Sequence, residues 1–312
     1  MVRIAAIGEC MLELSRRDDG SFNLGFGGDT LNTAIYLARA ATGRAELAVD
    51  YVTALGTDPM SDEMVAAWRA EGVDTSRVAR LPGRLPGLYL IRTGALGERR
   101  FFYWRGEAAV RSLFLAPESE PLLAGLADYE ALYFSGITLA VLAPEARERF
   151  RAALEAARGR GCTVAFDSNY RPALWPDPAV ARRIIGEFLP ATSLALPTFE
   201  DERALHGDAD PAATVARYSR AGVREVAVKQ GEHGCLVLAN GTLTPVPAAR
   251  RVTPVDTTAA GDAFNAGYLA ARLLGASPER AARAGAGIAG AVICHRGAII
   301  PRDATPSLEE LP

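Results

Sequence analysis

Short apolar runs alternate with longer helix-type runs along most of this chain. The short runs, such as Thr163–Asp167, are rich in β-branched and aromatic residues, and the longer ones, such as Pro144–Arg158, repeat apolar residues at the helical period. Apolar strands separated by helices are typical of a parallel sheet that is covered on both faces by its crossover helices. The alternation therefore predicts an α/β fold with a mostly parallel central sheet.

The same patterns predict where individual elements lie. Strands are expected at Val2–Ile7, Val49–Leu55, Ala131–Phe134, Thr163–Asp167, Leu194–Leu196 and Glu225–Val228. Helices are expected at Thr30–Ala41, Ser61–Glu71 and Pro144–Arg158. Because no fixed-period repeat and no long low-complexity linker interrupts the chain, we expect a single domain over residues 1–312.

Two segments, near residues 11–24 and 88–104, break the alternation. The second contains LYLIRTGALGERRFFYW, in which Gly94–Gly97 supply turn residues between two arms rich in aromatic and β-branched residues. Together the segments predict a small antiparallel β flap, or lid, attached to the main sheet. A surface hairpin that only covers a sheet edge is an equally good interpretation of the same pattern.

The composition excludes several classes of protein. With 49% hydrophobic residues among 312, the chain is too apolar to be intrinsically disordered. Its 34 basic and 37 acidic residues give a net charge of -3, which argues against a protein that coats nucleic acid. No uncharged apolar run reaches the roughly 18 residues of a membrane span, and Glu9 and Glu13 interrupt the first apolar stretch too soon for a signal peptide. We therefore expect a cytoplasmic protein, without structural zinc or disulfides because its four cysteines and three histidines are scattered.

The stretch Pro254–Gly267, PVDTTAAGDAFNAG, carries the strongest chemical signal. Its small residues run into an amphipathic helix that is expected to begin near Gly261. Small residues allow successive backbone N–H groups to point into one concavity, and the start of the helix adds the positive end of its dipole. The stretch therefore predicts an anion site, although the P-loop pattern G-x-x-x-x-G-K-[ST] does not occur in the chain.

Asp262 stands at the start of that helix, beside the predicted anion site. A carboxylate there could accept the proton of a substrate hydroxyl that attacks a phosphoryl group. The ordinary alternative is an aspartate that only interacts favourably with the helix dipole. A second glycine pattern, GAGIAG at Gly285–Gly290, lies in an Ala-rich helical run with no strand before it. It therefore predicts helix packing rather than the dinucleotide site of a nicotinamide-dependent oxidoreductase.

Two motifs together resemble the paired signatures of the ribokinase-like (PfkB) sugar kinase family. They are DTTAAGD at Asp256–Asp262 and GGDTLNTA at Gly27–Ala34, and the similarity extends along nearly the whole chain. A third, VKQGEHG at Val228–Gly234, resembles the family's nucleotide loop, although alone it would fit a strand-to-strand turn equally well. One position departs from the family pattern, because Ala259 stands where glycine is usual and alanine disfavours positive φ.

This resemblance implies a fold, a reaction and its cofactors. The fold would be a ribokinase-like three-layer sandwich with a β lid. The reaction would be phosphoryl transfer from ATP with Mg²⁺, with Asp262 as the general base and the amides of Ala259, Ala260 and Gly261 as the anion hole. K⁺ near Asp256 is a candidate activator. The residues expected at ATP are Asn169, Arg171, Lys229, Gly231, Gly234, Ala259, Ala260 and Gly261.

Three segments narrow the expected substrate to a sugar acid. YWRGEAA, FDSNYRPALW and GGDTLNTA resemble the branch of the family that acts on 2-keto-3-deoxygluconate. The residues expected at the substrate are Gly28, Asp29 and Asn32 for hydroxyls, Tyr89, Tyr103, Arg105 and Arg171 for the rest of the molecule, and Asp262 as the base. Arginine suits this role because a guanidinium can bind a carboxylate in a bidentate pair.

Other interpretations stay open at this point. Arg105 and Arg171 could be solvated loop residues, and a kinase for fructose, ribose or a nucleoside would not need both. A sugar-acid sensor without catalytic activity is disfavoured by the intact Asp262. The expected partners are a sugar acid and ATP, with no nucleic acid and no membrane, and the aromatic flap predicts a homo-oligomer.

Overall fold

The described residues, 1–17, 19–44, 46–93, 99–248 and 252–310, form two β-sheets and ten α-helices in a computed structural model of the chain. The strands are β1 (Val2–Ile7), β2 (Met11–Arg16), β3 (Phe22–Gly27), β4 (Leu47–Leu55), β5 (Val78–Arg80), β6 (Gly87–Thr93), β7 (Arg99–Trp104), β8 (Ala131–Ser135), β9 (Thr163–Asp167), β10 (Leu194–Ala195), β11 (Glu225–Lys229), β12 (Cys235–Ala239) and β13 (Thr242–Val246). The helices are α1 (Asp29–Ala40), α2 (Pro59–Ala70), α3 (Glu120–Ala124), α4 (Gly136–Val141), α5 (Pro144–Gly159), α6 (Pro178–Phe188), α7 (Phe199–His206), α8 (Pro211–Arg220), α9 (Ala260–Leu273) and α10 (Pro278–Val292). No helix in these ranges is long and apolar enough to cross a lipid bilayer.

The central sheet has nine strands in the order β13-β12-β11-β10-β9-β8-β1-β4-β5. Pairing is parallel from β11 to β5, and only β12 and β13 join antiparallel at one edge. Side chains alternate between two apolar clusters, with Ile4 and Ala6 in one and Ala5 and Ile7 in the other. Helices α1, α2, α9 and α10 contribute to the first cluster, and α5 to α8 contribute to the second. The predicted mostly parallel sheet with helices on both faces is confirmed.

The predicted elements occur with small differences at their ends. Each predicted strand is present, with its ends within two residues of those expected. Helix α2 begins at Pro59 instead of Ser61, because the carboxylate of Asp58 accepts a hydrogen bond from the Ser61 amide (3.0 Å) and so caps the helix earlier. Such caps lie outside the apolar periodicity, which is why the pattern places the start too late.

Helices α9 and α10 pack closely through two glycines. A Cβ at Gly267 would lie 2.8 Å from Cα of Gly285, and a Cβ at Gly285 would lie 2.6 Å from the carbonyl oxygen of Phe264. The GAGIAG run lies inside α10, so its interpretation as a helix-packing segment is confirmed.

The second, small sheet has the order β3-β2-β6-β7 and joins both segments that were expected to form the flap. Its outer pairs are antiparallel, whereas the central pair, β2 and β6, is parallel because these strands belong to two separate excursions of the chain from the central sheet. The turn predicted at Gly94–Gly97 lies outside the described residues. The aromatic side chains of Phe101–Trp104 are each about half exposed on this sheet.

Candidate active site

Polar residues gather where the parallel strands of the central sheet end. Glu9 follows β1, Asp167 ends β9 and Lys229 ends β11. The first turns of α1 and α9 meet at the same edge, where Asn32 contacts Asp262. Because ligands of open α/β sheets bind outside the carboxyl ends of the strands, this edge is the candidate active site.

The chain enters α9 through a left-handed residue, Ala259, with φ 60° and ψ 12°. This conformation costs an L-residue about 1–2 kcal/mol, yet the backbone adopts it here with alanine in place of glycine. The first N–H groups of a helix have no acceptor within the helix and can bind an anion. At the start of α9 the Ala260 amide donates to the carbonyl oxygen of Thr257 (3.2 Å), so an anion that uses this amide would replace that bond.

Asp262 lies in the first turn of α9 and is only partly exposed. Its Oδ2 accepts a hydrogen bond from Nδ2 of Asn32 at 2.9 Å, across to α1. Burial raises the pKa of Asp262 to about 7; the negative charges of Asp29 and Asp167 act in the same direction, and the Asn32 hydrogen bond and Lys229 oppose it. A carboxyl group with a pKa close to neutrality is suited to accept a proton from a substrate hydroxyl and release it again.

A buried polar network lies beneath Asp262. Nζ of Lys229 donates to Asp167 Oδ2 at 2.7 Å and to Asn265 Oδ1 at 2.9 Å. Asn169 connects this network to α1. Its backbone N–H donates to Asp167 Oδ1 (3.1 Å), and its side-chain Nδ2 donates to Asp29 Oδ2 (2.7 Å). The network therefore ties α1, β9, β11 and α9 into one rigid edge.

The predicted substrate loop, Gly28 to Asn32, begins α1 directly beside Glu9. A Cβ at Gly28 would clash with the carbonyl oxygen of Glu9, so the close approach requires glycine. Burial raises the pKa of Asp29, and hydrogen bonds from Ser135 and Asn169 oppose the rise. The loop thus places a carboxylate and an amide next to Asp262, where substrate hydroxyls are expected.

Three predicted substrate residues meet where the small sheet joins the central one. The ring centroids of Tyr89 and Tyr103 lie 6.0 Å apart, and Cζ of Arg105 lies 5.9 Å from the centroid of Tyr103. The Tyr89 hydroxyl donates to a carboxylate oxygen of Glu13, and Arg105 forms an ion pair with Glu9. Because the Arg105 side chain is only 13% exposed, it is not a solvated loop arginine.

Comparison with known proteins identifies the family. The model of the pfkB family carbohydrate kinases matches residues 1–305. The chain belongs to this family. A 2-dehydro-3-deoxygluconokinase from Escherichia coli strain K12 is 48% identical over 308 residues, which cover 98% of this chain and 99% of the relative.

Solved structures of pfkB family enzymes and their relatives share the architecture. A 2-dehydro-3-deoxygluconokinase from Thermotoga maritima superposes with a TM-score of 0.81 at 24% identity, over 99% of this chain and 96% of the other. A fructokinase from Xylella fastidiosa with bound ATP superposes with a TM-score of 0.83 at 23% identity, over 99% and 96% of the two chains. The predicted ribokinase-like fold is confirmed.

The segment that resembles the family's nucleotide loop connects β11 to β12. Gly231 and Gly234 have φ of 56° and 86°, and a Cβ at Gly234 would clash with the backbone of Val246 in β13. The loop is therefore a turn between two strands, and the buried Lys229 is the last strand residue before it. Contacts of Lys229, Gly231 and Gly234 with ATP stay a prediction.

Arg171 lies in the loop after β9 with its side chain 51% exposed, and its Nη1 is 3.3 Å from Asp201 Oδ2. Burial raises the pKa of Asp201, and Arg171 opposes the rise. Pairs as exposed as this contribute little to stability, typically less than about 1 kcal/mol, so the pair gives only a weak structural reason for this arginine. Its contacts with the sugar acid and with ATP stay a prediction.

The start of α9 lies beside the cation of Lys229. A Cβ at Gly261 would have Nζ of Lys229 as a neighbour at 3.5 Å, so an anion placed there lies near both a buried cation and the helix N-terminus. Within the described ranges, no group of three or more His, Cys, Asp or Glu side chains is placed to hold a metal ion.

Asp256 ties the segment before α9 to a distant part of the chain. Its Oδ1 accepts from the Thr258 amide (3.0 Å) and its Oδ2 from the Gly297 amide (2.9 Å). The carboxylate therefore has a structural role, and a K⁺ site beside it stays a prediction.

Sequence reasoning misses three residues of this edge: Glu9, Asp167 and Asn265. Asp167 and Asn265 lie inside the FDSNYR and PVDTTAAGDAFNAG segments, and Glu9 follows the first strand in IGEC. The available signal is an acidic or amide side chain inside or directly after an apolar run, because such a group must be buried with a partner.

Proposed function

We propose that the chain catalyses the ATP-dependent phosphorylation of 2-keto-3-deoxygluconate, also called 2-dehydro-3-deoxygluconate, to its 6-phosphate. The E. coli relative of this name is 48% identical along almost the whole of both chains. The observation that carries the proposal is the position of Asp262, held by Asn32 at the start of α9 with a pKa of about 7.

In the proposed reaction, Asp262 accepts the proton of the terminal substrate hydroxyl. The hydroxyl oxygen then forms a bond to the γ-phosphorus of ATP, the bond from that phosphorus to the β–γ bridging oxygen breaks, and ADP leaves. The amides of Ala259, Ala260 and Gly261 and the helix dipole stabilise the negative charge on the transferring group. Mg²⁺ carried by the nucleotide would screen the phosphate charge; Asn169, Arg171, Lys229, Gly231 and Gly234 would hold the nucleotide.

The substrate would lie between the α1 start and the small sheet. Gly28, Asp29 and Asn32 would bind its hydroxyls, while Tyr89 and Tyr103 would cover it. The guanidinium groups of Arg105 and Arg171 would bind its carboxylate, because charge-assisted hydrogen bonds to a planar fork select this group over a hydroxyl. The small sheet would then act as a lid that excludes water from the reacting phosphate.

A coupled assay of ADP release tests the proposed substrate. We expect kcat/KM for 2-keto-3-deoxygluconate to exceed that for ribose, fructose and gluconate, with its galactonate epimer measured in parallel. A preference for fructose or ribose would contradict the sugar-acid proposal. If none of these sugars causes ADP release, a non-catalytic sensor would be favoured.

Asp262→Asn tests the proposed base. We expect kcat to fall by about 10²–10⁴-fold because proton transfer is lost, while calorimetry shows ATP binding unchanged. Glu279→Gln is the matched control, because Glu279 is also an acidic residue in the first turn of a helix, α10, and should leave kcat unchanged. Equal effects of the two substitutions would indicate that Asp262 only interacts with the helix dipole.

The assembly, organisation and location of the protein are part of the same proposal. The half-exposed aromatic side chains of Phe101–Trp104 on the small sheet favour a homo-oligomer that covers them. Light scattering of the purified chain tests this, and a monomer at micromolar concentration would contradict it. We further propose that residues 1–312 act as one kinase domain in the cytoplasm.

A further inference from the structure

The ion pair between Glu9 and Arg105 is buried at the junction of the two sheets. Glu9 lies between β1 and β2, and Arg105 directly follows β7. Their side chains are 2% and 13% exposed. Removing two charges from water costs free energy, and the attraction between them offsets that cost only when the geometry is good. A buried pair is therefore weak evidence for a role in stability, and we consider a role in function.

The pair is incompletely satisfied. Among the described residues, neither Oε1 of Glu9 nor Nε of Arg105 has a hydrogen-bond partner, and both atoms are buried. The glycine at position 87 allows the pair to close against β6, since a Cβ there would lie 3.0 Å from Glu9 Oε1 and 3.3 Å from Arg105 Cβ. Arg105 gives Nη2 to Glu9, and its buried Nε–H is a donor without a partner among the described residues.

The pair also connects the two halves of the proposed substrate site. The backbone of Glu9 packs against Gly28 at the start of the substrate loop, and the Arg105 guanidinium lies near the ring of Tyr103 on the small sheet. Burial raises the pKa of Glu9, and Arg105 opposes this rise more strongly than any other group. The charged state of the Glu9 carboxylate thus depends on Arg105, and the ion pair holds the two side chains in position.

We propose that Glu9 is the positioning residue for Arg105 and fixes the direction in which the guanidinium meets the anionic end of the substrate. This inference rests on the proposed sugar-acid kinase activity. Because the charge of Glu9 balances that of Arg105, binding of the substrate carboxylate would depend more on the orientation of the Arg105 guanidinium than on a net positive charge. Substrate specificity would then require a residue that does not itself touch the substrate.

A double-mutant cycle with Glu9→Gln and Arg105→Ala tests this role. Glu9→Gln keeps the size of the side chain but removes its charge. We expect it to raise KM for 2-keto-3-deoxygluconate roughly tenfold and to leave KM for ATP unchanged. When Arg105 is already replaced by alanine, Glu9→Gln should change KM for the sugar acid less than about twofold, because Glu9 acts only by positioning Arg105.

Glu107→Gln is the matched control. Glu107 is two residues from Arg105, but its side chain is 93% exposed and pairs with Arg84, so its substitution should leave both KM values unchanged. Equal factors for Glu9→Gln with and without Arg105, an unchanged sugar-acid KM, or a parallel rise in KM for ATP would each overturn the proposal. If circular dichroism shows that Glu9→Gln does not fold, Glu9→Asp enters the same cycle under the same criteria. Failure of the kinase proposal is seen separately, as absence of sugar-acid phosphorylation by the unmodified chain.

Discussion

The hydrogen bond from Asn32 to Asp262 should set the lower pH limit of activity. Asn32→Leu removes the donor while filling its space, so that water does not replace it. A hydrogen bond to a charged acceptor contributes about 1.5–3 kcal/mol, and one pKa unit corresponds to about 1.36 kcal/mol. Loss of this bond destabilises the carboxylate, so the pKa of Asp262 should rise from about 7 by about one to two units.

The rise has a defined consequence for the rate. As the proposed base, Asp262 would accept a proton only when its carboxyl group is ionised, so we expect activity to fall as pH decreases through the pKa of that group. With the pKa raised, the ionised fraction at pH 7 should fall about 5- to 50-fold, and kcat with it, while activity recovers towards pH 9. The assay is kcat against pH from 5.5 to 9.5, at saturating sugar acid and ATP.

Thr33→Val is the matched control for this experiment. Thr33 is the next residue of α1 and its hydroxyl contacts the backbone carbonyl oxygen of Asp262 at 3.3 Å, not the carboxylate. Loss of the Thr33 hydroxyl should leave the acidic limb of the plot of kcat against pH at the same pH. An acidic limb that is the same for Asn32→Leu and the unmodified chain, or that shifts equally in Thr33→Val, would refute the reasoning.

Two further predictions concern backbone positions. Ala259→Gly removes the left-handed strain but adds freedom to the unfolded chain, so we expect the free energy of unfolding to rise by up to about 1 kcal/mol, measured by denaturant titration. Ala260→Gly, at the first residue of α9, relieves no such strain and should lower the free energy of unfolding, by at most about 0.5–1 kcal/mol. A lower free energy of unfolding for Ala259→Gly would contradict the argument that Ala259 is strained. Gly285→Ala should lower the free energy of unfolding by about 1–3 kcal/mol, since its Cβ would meet the Phe264 carbonyl oxygen at 2.6 Å, whereas Gly290→Ala, with open space in the same helix, should raise it by about 0.5–1 kcal/mol. Equal changes at the two glycines would argue against close packing of α9 on α10.

Much of the central sheet could be predicted because its signals are local. A buried parallel strand such as Thr163–Asp167 has an apolar interior, and α5 shows its helical period over 16 residues. The small sheet was harder to predict. Both of its segments were recognised, but the parallel pairing of β2 with β6 joins chain segments separated by α1, β4 and α2, and no local pattern specifies that partner.

The sequence alone determined where most strands of the central sheet and the helices between them lie, the start of α9 and the position of Asp262 within it, because each depends on neighbouring residues in a short segment. Only the tertiary structure decided which charges meet. Asn32 and Asp262 are 230 positions apart, Glu9 and Arg105 are 96 apart, and Asp167 and Lys229 are 62 apart. The first and third pairs form because parallel strands with crossover helices bring their carboxyl ends and the following helix starts to one edge of the sheet. The Glu9–Arg105 pair forms because the small sheet joins the central sheet at that edge. At the same edge, removal from water raises the pKa of Asp262 to about 7.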